Sequence, residues 1–139
     1  MGSRRKSREL AMQALFDMDM SRNDSEERLE LFCRNFNPSS KVLPFFQGLV
    51  DGVKKNRKEI DTLIEQYSSN WKISRISCVD RNVMRIAVYE MLYCEDIPSK
   101  VSINEAIEIG KKFGAEDSGG FINGILDSIR IMLENNNEE

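Results

Sequence analysis

The stretch "CVDRNVMRIAVYEMLYC", Cys78 to Cys94, constrains the fold more than any other part of the chain. Wound as a helix, it is apolar on almost every side beyond Asn82, so it has no face to offer water. It is shorter than the ~20 apolar residues of a membrane span, and Arg85 and Glu90 interrupt it. Its place is therefore the middle of a helical bundle, wrapped by other helices. Arg85 and Glu90 stand five residues apart and point in different directions. Each is expected to meet a partner on a neighbouring helix, as an ion pair in preference to a ligand site.

The rest of the chain supplies those helices. From about Arg4 to Met20, Ala11, Ala14, Leu15 and Met18 recur at the spacing of one buried helical face. Asp24 or Ser25 can cap a second helix carrying Leu29, Phe32 and Phe36, which "NPSS" ends. A long helix is predicted over about Lys41 to Tyr67, with Gly48 and Gly52 four apart where another helix can approach closely. Trp71, in "SSNWKIS", reads as a core plug. "EDIPS" stops the central helix, "SINE" at Ser102–Glu105 reads as a capping box, and Gly114 as a helix stop. A closing helix is expected over about Gly120 to Leu133, with "ENNNEE" fraying. No segment alternates in the manner of a strand. The expectation is an all-α protein of six or seven helices in two packed sub-bundles, about 1–70 and 71–139, forming a single domain over 1–139.

Several chemistries are disfavoured. The chain has no histidine, which removes His-based triads, His acid–base catalysis and nearly every common zinc site. Its glycines fall into no nucleotide-cradling motif. Cys33, Cys78 and Cys94 are widely spaced, without a C-x-x-C, and read as reduced thiols of a cytoplasmic protein. Residues 10–20 contain Gln13, Asp17 and Asp19, unlike the apolar stretch of a signal peptide. The carboxylates Glu26, Glu27, Glu59, Asp61, Glu105 and Glu108 fall at helix surfaces or caps and read as solvated. No catalytic residue, metal or cofactor is expected; the chain reads as a binding protein.

Two stretches suggest what it binds. Arg4, Arg5, Lys6 and Arg8 gather at one end of a chain whose net charge is −3. Such an arm either meets a polyanion or solubilises a helix end. Phe16 lies two turns beyond Arg8 on the same helix, where it serves as core or as a platform for a base. In "KKFGAEDSGGFINGILDSI", Lys111 and Lys112 lead through Asp117 to a helix entrance at which Gly119 and Gly120 allow close approach to free amides. Asp117 would cap that helix and repel phosphate, while remaining able to accept hydrogen bonds from a base.

The segments "SRRKSRELAMQALF", "VDRNVMRIAVYEML" and "IPSKVSINEAIEIGKKFGAEDSGGFINGILDSI" follow one another in a pattern that resembles, from end to end, the NusB family of bacterial transcription antitermination factors. The resemblance implies an all-α fold without catalysis. It implies binding to single-stranded boxA RNA of ribosomal RNA transcripts together with the ribosomal protein NusE, in a complex that joins RNA polymerase and suppresses termination. By the same resemblance, RNA contacts fall on Arg4, Arg5, Lys6, Arg8, Phe16, Tyr67, Asp117 and Phe121, and the NusE-facing acidic position on Asp80, beside Arg81. Phe16 stands where the family usually has Tyr, so stacking survives and a phenolic hydrogen bond does not. Gly119–Gly120 replace what is often a longer residue. A related domain precedes the catalytic part of some ribosomal RNA methyltransferases, and a plain helical scaffold is the remaining alternative. Apolar surface on the N-terminal helices would also permit a homodimer that hides the RNA face.

Overall fold

The computed structural model describes residues 2–137, which form seven α-helices and one short 3-10 turn. In chain order these are α1 (Gly2–Ser21), α2 (Glu26–Phe36), α3 (Leu43–Lys55), α4 (Arg57–Tyr67), the turn Ile73–Arg75, α5 (Cys78–Tyr93), α6 (Ser99–Phe113) and α7 (Ser118–Asn137). No strand occurs among the described residues.

As its sequence requires, α5 is the axle: α1, α3, α4, α6 and α7 all pack against it. Val83, Met84, Ile86, Ala87 and Val88 are buried in succession, a run that no amphipathic surface helix could show. Around it, Met12, Leu15, Phe46, Leu49, Ile60, Ile64, Ile122, Leu126 and Ile129 are almost wholly removed from water. Each such side chain is worth about 1.5–3 kcal/mol relative to an exposed one. Helix ends follow local chemistry. Ser25 Oγ accepts the Arg28 amide and Ser77 Oγ accepts the Asp80 amide, satisfying otherwise orphaned donors. Asn37, left-handed at φ 46°, closes α2 through its N–H to Cys33 O.

Some local expectations require correction. The helix expected over Lys41 to Tyr67 is two helices broken at Asn56, whose side-chain amide donates back to Gly52 O at 2.9 Å. Gly52 does allow close approach, since the Tyr89 ring occupies the space a Cβ would need, whereas nothing comes near Gly48. Trp71 is 53% exposed and is no core plug, because Ser69 and Asn70, both at positive φ, turn the chain outward before it. Ser102–Glu105 is not a capping box: α6 begins at Ser99 behind Pro98, placing Ser102 and Glu105 inside the helix. Asp61 and Glu105 are held by arginines and are not freely solvated. The closing helix starts at Ser118, whose Oγ accepts the Ala115 amide, and continues through Asn137 without the expected fraying up to that point. Glu138 and Glu139 lie outside the described residues.

Candidate nucleic-acid interface

The buried stripe of α1 runs through Leu15 and Ala11 and, one turn further back, reaches Ser7 and Arg8. Arg8 is accordingly interior. Its Nε and Nη2 donate to Glu90 at 2.7 and 3.0 Å, its Nη1 donates to Glu105 at 3.2 Å, and Ser102 Oγ completes Glu90 with a 2.7 Å bond. The other three cations point outward. Lys6 is exposed; Arg4 lies over the Phe45 ring, 4.7 Å from its centroid, and 3.6 Å from Asp96. Arg5 grips Glu105 with Nε and Nη2 while its side chain stays 43% exposed, leaving the outer edge of its guanidinium open. Hydrogen bonding from Arg5, opposed by partial burial, holds the Glu105 carboxyl below the usual carboxylate range.

Farther along α1, Glu9 meets Lys112 of α6 at 3.1 Å, and Lys112 lies over Phe113. Phe113 and Phe16 line one open cleft of about 510 Å³ with Met12, Phe32, Phe36 and Val79. Side chains of the last turn of α6, Lys112 and Phe113, thus meet α1, and exposed Asp117 follows in the turn to α7. Lys111 lies across Gly119, with its Cε 3.1 Å from where a Cβ would stand, while Gly120 faces open space. Phe121, in the first turn of α7, meets Trp71 with ring centroids 6.4 Å apart; Tyr67, at the end of α4, is half-buried against the core.

Asp80 and Arg81, adjacent in sequence, part company. Asp80 is buried beside the Gly114 turn with Oδ1 lacking a hydrogen-bond partner, and Arg81 Nε turns to Asp19 at 3.0 Å. Among the described residues no cluster of metal-ligating side chains forms. Burial pushes the Cys33, Cys78 and Cys94 thiols up, away from the reactive thiolate.

A helical bundle with a cationic first helix fits many polyanion binders, so the surface alone leaves the family open. The sequence model of the NusB family matches residues 5–130. The chain belongs to the NusB family. Its relatives include the transcription antitermination protein NusB of Desulfatibacillum aliphaticivorans, 57% identical over 133 residues and covering 96% of this chain and 93% of the relative. That of Myxococcus xanthus is 47% identical over 137 residues, covering 96% and 98%. Among solved structures, T. maritima NusB superposes with a TM-score of 0.82 at 42% identity, covering 91% of this chain and 89% of that one. A NusB in a crystal structure of antitermination factors NusB and NusE in complex with dsRNA gives 0.83 at 25% identity, covering 93% and 96%.

In this NusB-family chain Arg5, Lys6 and Phe16 stand outward on α1, with Arg5 bonded to Glu105 of α6 and Phe16 lining one cleft with Phe113. Arg4 turns instead to Phe45 and Asp96, Asp117 is exposed in the turn between α6 and α7, and Phe121 meets Trp71. The structure withdraws Arg8 and Asp80 from the surface. Sequence reasoning missed Glu90 and Glu105 as the anions that organise the arm, and Trp71 as an exposed aromatic. Arg8 was legible as interior, since it stands three residues before Ala11 and seven before Leu15 on the buried stripe.

Proposed function

We propose that this protein is a non-catalytic transcription antitermination factor that binds boxA-type single-stranded RNA of ribosomal RNA transcripts together with NusE, as part of a complex with RNA polymerase in the cytoplasm. The observation that carries the reading is the outward face of α1, where Arg5 and Lys6 lead to exposed Phe16, which shares one cleft with Phe113 at the end of α6. Arg4, Arg5 and Lys6 supply phosphate contacts, which position a strand without reading it. Phe16 offers a stacking face, and Asp117, Phe121 and Tyr67 engage bases, the means by which single strands are distinguished. Arg8 is a positioning residue that fixes α1 to α5 and α6 through Glu90 and Glu105. The NusE side lies at the start of α5, where buried Asp80 and inward-bonded Arg81 act as positioning residues. No helix among the described residues is long and apolar enough to cross a membrane. Family membership and the structural likeness to a NusB solved with NusE and RNA support this assignment.

The test is a titration of labelled boxA-like RNA and a scrambled strand, with and without NusE. Selective binding that NusE strengthens is expected; equal affinity for both strands in both conditions contradicts the reading. The apolar cleft, with exposed Phe16, Met20 and Phe36 at its rim, favours a second state in which a homodimer covers Phe16. Sedimentation should then show a concentration-dependent dimer that RNA dissociates.

A further inference from the structure

The far end of α1 holds a second concentration of cations, which the RNA reading leaves unused. Asp19 is nearly buried there and serves as an internal anion: Arg57 Nη2, Arg81 Nε, Arg85 Nη1 and Asn82 Nδ2 donate to it at 2.8, 3.0, 2.8 and 3.0 Å. Arg85 also forks Asp61 through Nε and Nη2 at 2.8 and 3.0 Å. A carboxylate offers about four acceptor sites, and those of Asp19 are taken. Yet four guanidiniums, of Arg22, Arg57, Arg81 and Arg85, border one open cleft of about 430 Å³, with Ser74 on its wall. Asp19 and Asp61 offset two of the four positive charges, and exposed Asp24, in the adjoining cleft, offsets one more. Glu65, which accepts the Ile73 amide on the wall, balances the fourth, so what the cleft offers an anion is the outward donors of partly exposed Arg57 and exposed Arg22.

Arg22 is the informative member. It follows the last residue of α1 at φ 54°, and Asn23 N donates across it to Met18 O at 3.1 Å, closing the helix in the manner usually given to glycine. A side chain with a Cβ is disfavoured in that conformation. The Asp19–Arg85–Asp61 network does not require Arg22, so packing gives no reason for an arginine there.

We propose that this cleft is a second anion site, which takes a phosphate-class tetrahedral oxyanion between Arg22 and Arg57. Arg81, Arg85 and Asp19 fix its inner wall, since the nitrogens of Arg81 are committed to Asp19, Ile76 O and Cys78 Sγ. Guanidinium forks match phosphate oxygens in geometry as well as charge. The site is distinct from the basic arm, since Arg5 and Arg22 are separated by about 25 Å of helix at 1.5 Å per residue.

The experiment measures inorganic phosphate binding to the full chain, by the rise in melting temperature against chloride of equal ionic strength. Arg22→Gly removes the cation while relieving the backbone, so it should melt higher without phosphate and bind phosphate about tenfold more weakly, the loss expected of one charge-assisted hydrogen bond. Arg57→Gln should weaken binding similarly, and Arg4→Ala/Lys6→Ala should leave it intact. A short single-stranded oligonucleotide identifies the source. If the anion is a strand's phosphodiester, Arg22→Gly weakens oligonucleotide binding too; if it is free phosphate, only phosphate binding falls. The proposal is overturned if phosphate gives no specific rise, if Arg22→Gly and Arg57→Gln retain it in full, or if the Arg4→Ala/Lys6→Ala variant alone loses it.

Discussion

Replacing Arg8 by Met would leave Glu90, inaccessible to solvent, without its cation. Removing one partner of a buried ion pair costs about 3–5 kcal/mol, because the other charge stays desolvated and uncompensated. Ser102 Oγ would keep one of Glu90's bonds, at 2.7 Å, which places the expected loss near the lower end. With a urea slope of about 2 kcal/mol/M, a loss of about 3 kcal/mol lowers the unfolding midpoint by about 1.5 M. Glu90→Gln or Glu90→Met alone should cost a comparable amount. The double variant Arg8→Met/Glu90→Met replaces the pair with apolar chains of similar volume and should recover most of the loss, since such exchanges are often neutral or stabilising. Urea unfolding of the four proteins of this cycle is the assay. A single-variant cost below about 1 kcal/mol, or a double-variant cost equal to the sum of the singles, would refute the reasoning. The same double variant should bind RNA as the parent does, because Arg8 faces the interior. A loss as large as that of Arg4→Ala would return Arg8 to the phosphate contacts.

Gly52→Ala should destabilise by about 1–3 kcal/mol through collision with the Tyr89 ring, despite the better helix propensity of Ala. Gly48→Ala, with open space around it, should stabilise by up to about 1 kcal/mol; thermal melts of the pair would show opposite signs. Glu105 and Asp19 both titrate below their ordinary range: Arg5 holds Glu105 down, and around Asp19 the charges and hydrogen bonds of Arg85, Asn82, Arg81 and Arg57 outweigh the opposing effect of burial. Their contribution is therefore complete above the unfolded carboxylate pKa values of about 4 and is lost as the pH falls through the lower folded values. Urea midpoints should be level near pH 6 and decline below about pH 4, and a rise on acidification would contradict the sign. Trp71 is the single tryptophan and lies against Phe121, so boxA-like RNA should change its emission, an effect that Phe121→Ala should alter.

Much of the fold was legible because burial is periodic. Val83 to Val88, Ala11 with Leu15, and Ile122 with Leu126 announce their helices without help from tertiary context. The break at Asn56 was not legible: fully buried Val53 and Ile60 are seven residues apart, two helical turns, so the apolar phase runs through the interruption unchanged. The S-x-x-E pattern at Ser102 misled because the same two side chains serve inside a helix, where they bond Glu90 and the arginines of α1. Trp71 misled because residue type favours burial, while two left-handed residues before it decide otherwise. At the interface, the outward cations and Phe16 were visible as a pattern. The carboxylates that sort Arg8 from Arg4, Arg5 and Lys6 come from α5 and α6, about 100 residues away in the case of Arg5 and Glu105, and no local spacing reveals them.

The central claim is that outward cations on α1 hold the phosphates of a single strand, and its salt dependence tests it most directly. Three phosphate contacts on single-stranded RNA predict that log K falls with log salt at a slope of about −2, at about 0.7 per contact. Arg4→Ala/Lys6→Ala should flatten that slope by about 1.4 while leaving the preference for boxA over a scrambled strand in place. An unchanged slope in that variant would contradict the account.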